Sequence, residues 1–100
     1  MQNKLERRMF LGFIYIHILH HALERPVYGR WMMDELKGHG YDMSAGTIYP
    51  ILHRMEAEGL LEVELVTVDG HQRKNYHCTQ LGRVMLQKSK EQLRELIDEI

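Results

Sequence analysis

Two cations, Arg73 and Lys74, follow a turn that holds His71 and Gln72, and Asp69 is the one acid between Thr67 and His77. Cations grouped near a hairpin end suit phosphate oxygens, contacts that position a protein on a duplex without reading its sequence. A plain solvated hairpin end is the alternative. Ser44, Thr47, Tyr49 and His53 fall on or near the outer face of one predicted helix. Hydroxyls at a helix start donate to phosphates, and the helix end itself favours anions. Gly46 lets such an end come close to a sugar-phosphate backbone. Arg54 reaches either a phosphate or Glu58 at i+4. Tyr28 either donates to a phosphate or buries its ring, and Tyr49 is open to a place at the core edge. Lys4, Arg7 and Arg8 are read first as a solvated helix start and second as a backbone contact. No Arg or Asn is placed for bidentate contact with guanine or adenine. That predicts modest base readout, with DNA shape and half-site spacing contributing.

Three of the seven histidines, His17, His20 and His21, fall on one predicted helix, with His17 and His21 at i, i+4. That spacing chelates metal ions, but two imidazoles are an incomplete site and need a third ligand, expected from another subunit. Imidazoles at a dimer seam are the preferred reading, and no metal is assigned. Such a seam is pH-sensitive, since histidine titrates near neutrality. Cys78 has His77, Lys74 and Arg73 near it, and cations lower a thiol pKa. It shares a predicted strand face with Tyr76, so a buried inert thiol is preferred over a redox sensor. With no base and orienting partner for Cys78 and no Gly-rich phosphate loop, an enzyme is not expected. Seven methionines and Trp31 read as core packing, or as an adaptable apolar pocket for an effector.

The elements that position these groups belong to a chain of 100 residues, enough for one core. Hydrophobic residues make up 44% and charged residues 27%, a folded rather than a disordered profile. One cysteine excludes an internal disulfide framework. The apolar run 9–18 is too short to span a bilayer. No secretory signal pattern is visible, and a cytoplasmic protein is expected; no cofactor is assigned. A net charge of −1 excludes a strongly basic nucleic-acid coat but leaves room for a local basic patch.

The first helix is predicted over 5–24. Phe10, Ile14, His17 and His21 line one stripe, with Phe13, Ile16 and His20 on the next. So wide an apolar arc predicts burial on two sides, against its own domain and a second chain. Pro26 stops it. A second helix over about 28–37 turns Trp31, Met32, Leu36 and Met33 inward. A third starts either at Ser44 as N-cap or near Pro50, and runs to about Glu58 with Gly59 beyond it. From Leu60 the period becomes two, Asp69-Gly70 marks a turn, and 73–78 return. Thr79 caps a last helix with Leu81, Met85, Leu93, Leu96, Ile97 and Ile100 at helical spacing. That helix has little of its own chain to pack on, which predicts a partner subunit. The fold class is mainly α with a small β-hairpin. Helix, helix, helix and hairpin is the order of a winged helix-turn-helix.

The segment from Ser44 to Glu56 (SAGTIYPILHRME), followed by Glu58-Gly59-Leu60-Leu61, resembles the signature of PadR-family transcriptional regulators. Tyr28-Gly29 at the second helix and Arg73-Lys74-Asn75-Tyr76, then Thr79 and Gly82, agree in order and spacing. The resemblance covers about residues 8–85. It implies a homodimeric winged-helix repressor on a pseudo-palindromic operator, and a continuous helix from Ser44 through Pro50. It implies DNA contact by Tyr49, and a short subfamily whose single last helix packs on the first helix of the other subunit. The organisation is then a DNA-binding unit over 1–79 and a dimerisation helix over 80–100, in one compact body. The expected DNA-facing set is Tyr28, Ser44, Gly46, Thr47, Tyr49, His53, Arg54, Arg73 and Lys74. The expected dimer set is Phe10, Phe13, Ile14, His17, Met85, Leu93, Leu96, Ile97 and Ile100. The expected partners are double-stranded DNA, a second copy, and a small aromatic or planar effector at their interface, with no membrane. Some relatives hold such ligands with a tryptophan in the last helix, which is absent here. The competing reading is a metal- or protein-binding module that no longer binds an operator. It draws on the histidines and on residues 28–59, where three Lys and Arg face five Asp and Glu.

Overall fold

The computed structural model describes residues 3–100; the first two residues of the expected 1–79 unit lie outside them. The elements run α1 (Lys4–Glu24), β1 (Val27–Tyr28), α2 (Gly29–Gly38), α3 (Ala45–Ala57), β2 (Leu61–Val68), β3 (His71–Cys78) and α4 (Gln80–Glu99). The Asn3 side chain caps α1 by accepting from the Glu6 amide at 2.8 Å. Arg25 is extended, as a residue before proline must be. Beyond Pro26 the chain stays extended and forms β1, whose second residue, Tyr28, is the expected start of the second helix. Val27 lies opposite Tyr76 and Tyr28 opposite Asn75. The hairpin is therefore part of a three-stranded antiparallel sheet, in the order β1-β3-β2.

Strands β2 and β3 pair in unbroken register from Leu61 opposite Cys78 to Val68 opposite His71. Asp69 and Gly70 both hold positive φ, +52° and +77°, as a two-residue type I′ turn demands. Along β2, Leu61 is buried and Val63 half-buried, whereas Leu65 and Thr67 are exposed. Leu65 is exposed because the ribbon has by then run past the core.

Helix α3 starts at Ala45 and passes through Pro50, which forgoes the amide bond to residue 46. It ends in a Schellman motif. Leu60 N–H donates to the Met55 carbonyl at 2.9 Å and Gly59 N–H to Glu56 at 3.0 Å, with Gly59 at φ +78°. Its apolar residues Ile48, Ile51, Leu52 and Met55 are all buried. They meet Ile14 and Ile18 of α1, Met32 and Leu36 of α2, Leu61 and Tyr76 in one core. Ile14, expected to face a partner, is fully buried here in its own chain and has no surface left to offer.

Thr79 joins the end of α3 to the start of α4. Its hydroxyl donates to the Gly59 carbonyl at 2.6 Å and accepts from Gly82 N–H at 3.0 Å. Gly82 is packed so closely that an added Cβ would lie 2.6 Å from Cys78 Sγ. Past this anchor α4 buries only Leu86, and every residue from Lys90 onward is exposed.

Candidate nucleic-acid interface

Helix α3 and the sheet meet the start of α2 in a cleft of about 500 Å³. It is lined by Tyr28, Gly29, Arg30, Tyr49, His53, Arg73, Lys74 and Tyr76. Five of the nine expected DNA-facing residues come together here: Tyr28, Tyr49, His53, Arg73 and Lys74. Tyr49 reaches the cleft because residue 29 has no side chain. A Cβ at Gly29 would lie 2.8 Å from the Tyr49 Cζ and 2.9 Å from its hydroxyl oxygen. Gly29 thus makes the seat for the Tyr49 ring, a role its place in the sequence does not reveal.

Arg73 is not a free cation at the hairpin tip. Its guanidinium stacks on the Tyr28 ring at 3.8 Å, and among the described residues its buried Nε has no hydrogen-bond partner. Tyr28 lies beside Asn75 across the β1–β3 pairing, which brings its ring under Arg73 two residues away. The ring-burial and cation readings of these residues are therefore one arrangement. Lys74 is exposed, on the same strand face as Tyr76. Arg30 also lines the cleft, with its Nε 3.4 Å from the Asp34 carboxylate.

The other four expected residues lie apart from the cleft lining. Ser44 occupies the N-cap position with extended backbone, but its side chain makes no capping bond to the helix amides. Its hydroxyl stands 3.4 Å from that of Thr47. Thr47 N–H donates to the Ser44 carbonyl at 3.0 Å, and among the described residues the Ala45 and Gly46 amides are left uncapped at the helix start. Gly46 is exposed, and a Cβ there would meet only Ser44 Oγ at 3.7 Å, so the chain's own packing does not require a glycine. Arg54 leans to the other flank, beside Tyr15 of α1. The expected Arg54–Glu58 pair is not made among the described residues. Glu58 instead accepts from the Tyr15 hydroxyl at 3.3 Å. Burial is the main cause that pushes the Tyr15 hydroxyl up from its ordinary value.

Cys78 is half-buried, with Sγ 3.5 Å from the Thr79 carbonyl. Burial pushes its thiol up, outweighing Arg83. A raised thiol is less nucleophilic, in line with the inert reading.

A cleft lined by cations and phenols beside a helix start has the chemistry that suits phosphate oxygens. The family of that site is decided by comparison. The profile described as the transcriptional regulator PadR-like family matches residues 18–88. The chain belongs to the PadR family. It is 47% identical over 87 residues to the transcriptional regulator Rv3488 of Mycobacterium tuberculosis, covering 87% of this chain and 81% of that one. A PadR-like transcriptional regulator from Bacillus cereus superposes with TM-score 0.82 at 33% identity, over 92% of this chain and 91% of that one. A PadR-like transcription factor from Bacteroides fragilis gives 0.84 at 26% identity, over 97% and 95%. This PadR protein is a winged-helix, DNA-binding transcriptional regulator, not an enzyme. Among its described residues no helix is long and apolar enough to cross a membrane.

Proposed function

We propose that this PadR protein is a cytoplasmic, homodimeric repressor. It binds a pseudo-palindromic operator through α3 and the wing, and an effector releases it. The convergence of Tyr28, Tyr49, His53, Arg73 and Lys74 beside the α3 start carries this reading. In it, Lys74 and the phenols hold phosphates on one side of α3, and Arg54 on the other. Ser44 and Thr47 present hydroxyls at the groove, and Gly46 admits the backbone.

The second copy is expected on α4. Met85, Leu93, Leu96, Ile97 and Ile100 are all exposed along that helix. An apolar stripe of this length in water calls for a partner. On α1, Phe13 stays half-buried beside the stripe and belongs to the same face. Phe10 and His17 spend much of their surface on Tyr41, at ring distances of 5.6 and 5.3 Å, and contribute less. The 1–79 and 80–100 division holds in this reading, as a reading unit and a pairing helix. The effector is assigned to the groove of about 380 Å³ between α1 and α4, where Phe13, Ile16, Tyr41, Leu86 and Leu93 give apolar walls and His17, His20 and Lys90 polar ones.

A gel shift on DNA upstream of the protein's own gene, at two salt concentrations, tests the DNA side. A salt-sensitive shift, weakened in Arg73→Ala/Lys74→Ala, is the expected result. Binding unchanged in the double variant would move the interface elsewhere. Sedimentation of a chain truncated after Leu86 tests the dimer. A fully dimeric truncation that binds normally would remove α4 from this role.

A further inference from the structure

We propose that His17, His21 and His39 hold a divalent transition-metal ion of the zinc class, tying α1 to the link between α2 and α3. The sequence alone offered two imidazoles and looked to another subunit for a third. The same chain supplies it. His39 is the C-cap of α2, with its amide on the Leu36 carbonyl at 3.0 Å and Gly40 after it at φ +93°. This tight exit turns the His39 ring back onto α1. The ring centroids stand 6.0 Å apart for His17 and His21, 4.9 Å for His17 and His39, and 6.0 Å for His21 and His39. One ligand nitrogen from each lies within 4.8 Å of the other two. Zinc–nitrogen bonds of about 2.0–2.1 Å in a tetrahedron put such nitrogens about 3.3 Å apart. Binding therefore requires the rings to rotate until their nitrogens close from within 4.8 Å to about 3.3 Å.

A second observation is independent of this spacing. His21 is only 7% exposed, and its Nε2 is buried without a hydrogen-bond partner among the described residues. A buried polar atom left unsatisfied is destabilising, and a metal bond would satisfy it. The other nitrogen, Nδ1, lies 3.6 Å from the Glu24 carboxylate. Carboxylates behind metal-bound imidazoles orient them in this way. Glu35 stands 4.0 Å from His39 Nε2 and offers a fourth ligand or an outer carboxylate. An all-nitrogen set favours zinc, copper and nickel over magnesium and calcium.

A competing group shares His21. His20 and Glu24 also bring ligand atoms within 4.8 Å of it, but both are exposed and stand as an ordinary i, i+4 pair at 3.7 Å. Titration of chelator-treated full-length protein with zinc chloride by calorimetry, without DNA, separates the two. One ion per chain is expected, with no heat from magnesium. His39→Ala, at an exposed position, should lower zinc affinity by more than ~100-fold, beyond what outer carboxylates contribute. His39→Gln should do the same with the side-chain volume kept, and unchanged far-ultraviolet circular dichroism shows the fold is intact. His20→Ala should bind like the wild type. No zinc uptake by the wild type, undiminished uptake by both His39 variants, or loss in His20→Ala would each overturn the proposal. None of these outcomes depends on operator binding.

Discussion

Helices α3 and α4 are both amphipathic, and the domain treats them in opposite ways. Helix α3 buries four apolar side chains and turns its polar face to a cleft. Helix α4 is longer, yet it buries one apolar side chain, while Leu96 is 51% and Ile97 67% exposed. Within one chain, burial therefore fixes the orientation of α3. Only the first turns of α4 are fixed, by Thr79, Gly82 and Leu86.

The largest effect that would break this comparison comes from the core. Leu52→Ala is expected to lower unfolding stability by about 2–5 kcal/mol in urea titration. Ile97→Ala should leave the unfolding of the isolated chain within about 0.5 kcal/mol and weaken only concentration-dependent assembly. Equal losses in both variants would show that α4 is as much part of the chain's own core as α3.

Next comes the seat of Tyr49. Gly29→Ala puts a methyl where the Tyr49 ring lies; that ring is 38% exposed and can swing outward, so a loss of at most about 1 kcal/mol is expected. The same change in a Tyr49→Ala background should be nearly silent, and a double-mutant cycle reads the difference. Equal losses in both backgrounds would place the strain elsewhere.

The wing sharpens the comparison on the DNA side. Lys74→Ala should reduce the salt slope of DNA binding by about one per chain and leave thermal unfolding unchanged. Arg73→Ala should also lose about 0.5–1 kcal/mol of stability, because it uncovers the Tyr28 ring. A Lys74→Ala protein with an unaltered slope would take that side chain off the phosphate.

The smallest effect separates α1 from both helices. His17 and His21 titrate below the ordinary histidine value of about 6.5. Between the folded and unfolded values the unfolded chain binds more protons, so stability rises with pH there. Their contribution is fully present above the unfolded value and is lost as pH falls from about 6.5 toward the folded values. Melting temperature of the chelator-treated, metal-free protein, measured from pH 7.5 down to 5, should fall across that window, less steeply in His17→Gln. A His17→Gln protein with the same pH slope would put the titration on other groups.

Helix periodicity made α1, α2 and α3 readable, since apolar residues at 3–4 spacing mark a buried face whatever covers it. Asp69-Gly70 gave the wing turn, and the linked motifs gave the family. What escaped depended on partners distant in the chain. Strand β1 is two residues long and exists through pairing with β3, so Val27 and Tyr28 carry no period of their own. Pro26 followed by a β-branched residue was its one local sign. Arg73 looked free because the ring that covers it is 45 positions earlier in the chain. His39 looked unremarkable between two glycines, and only the exit from α2 brings it to His17. Ile14 and the residues proposed to face a partner share one wide arc, and sequence does not say where a core ends and an interface begins.

The Thr79 hydroxyl ties the carbonyl that closes α3 to the amide that opens α4. In the proposed dimer, the first of these helices reads a half-site and the second meets its twin. One oxygen atom then works as the knee of a caliper. The stride between two DNA half-sites is set at the joint rather than along either limb. Operators with altered spacing should select for changes around that joint before they select for changes in the reading head.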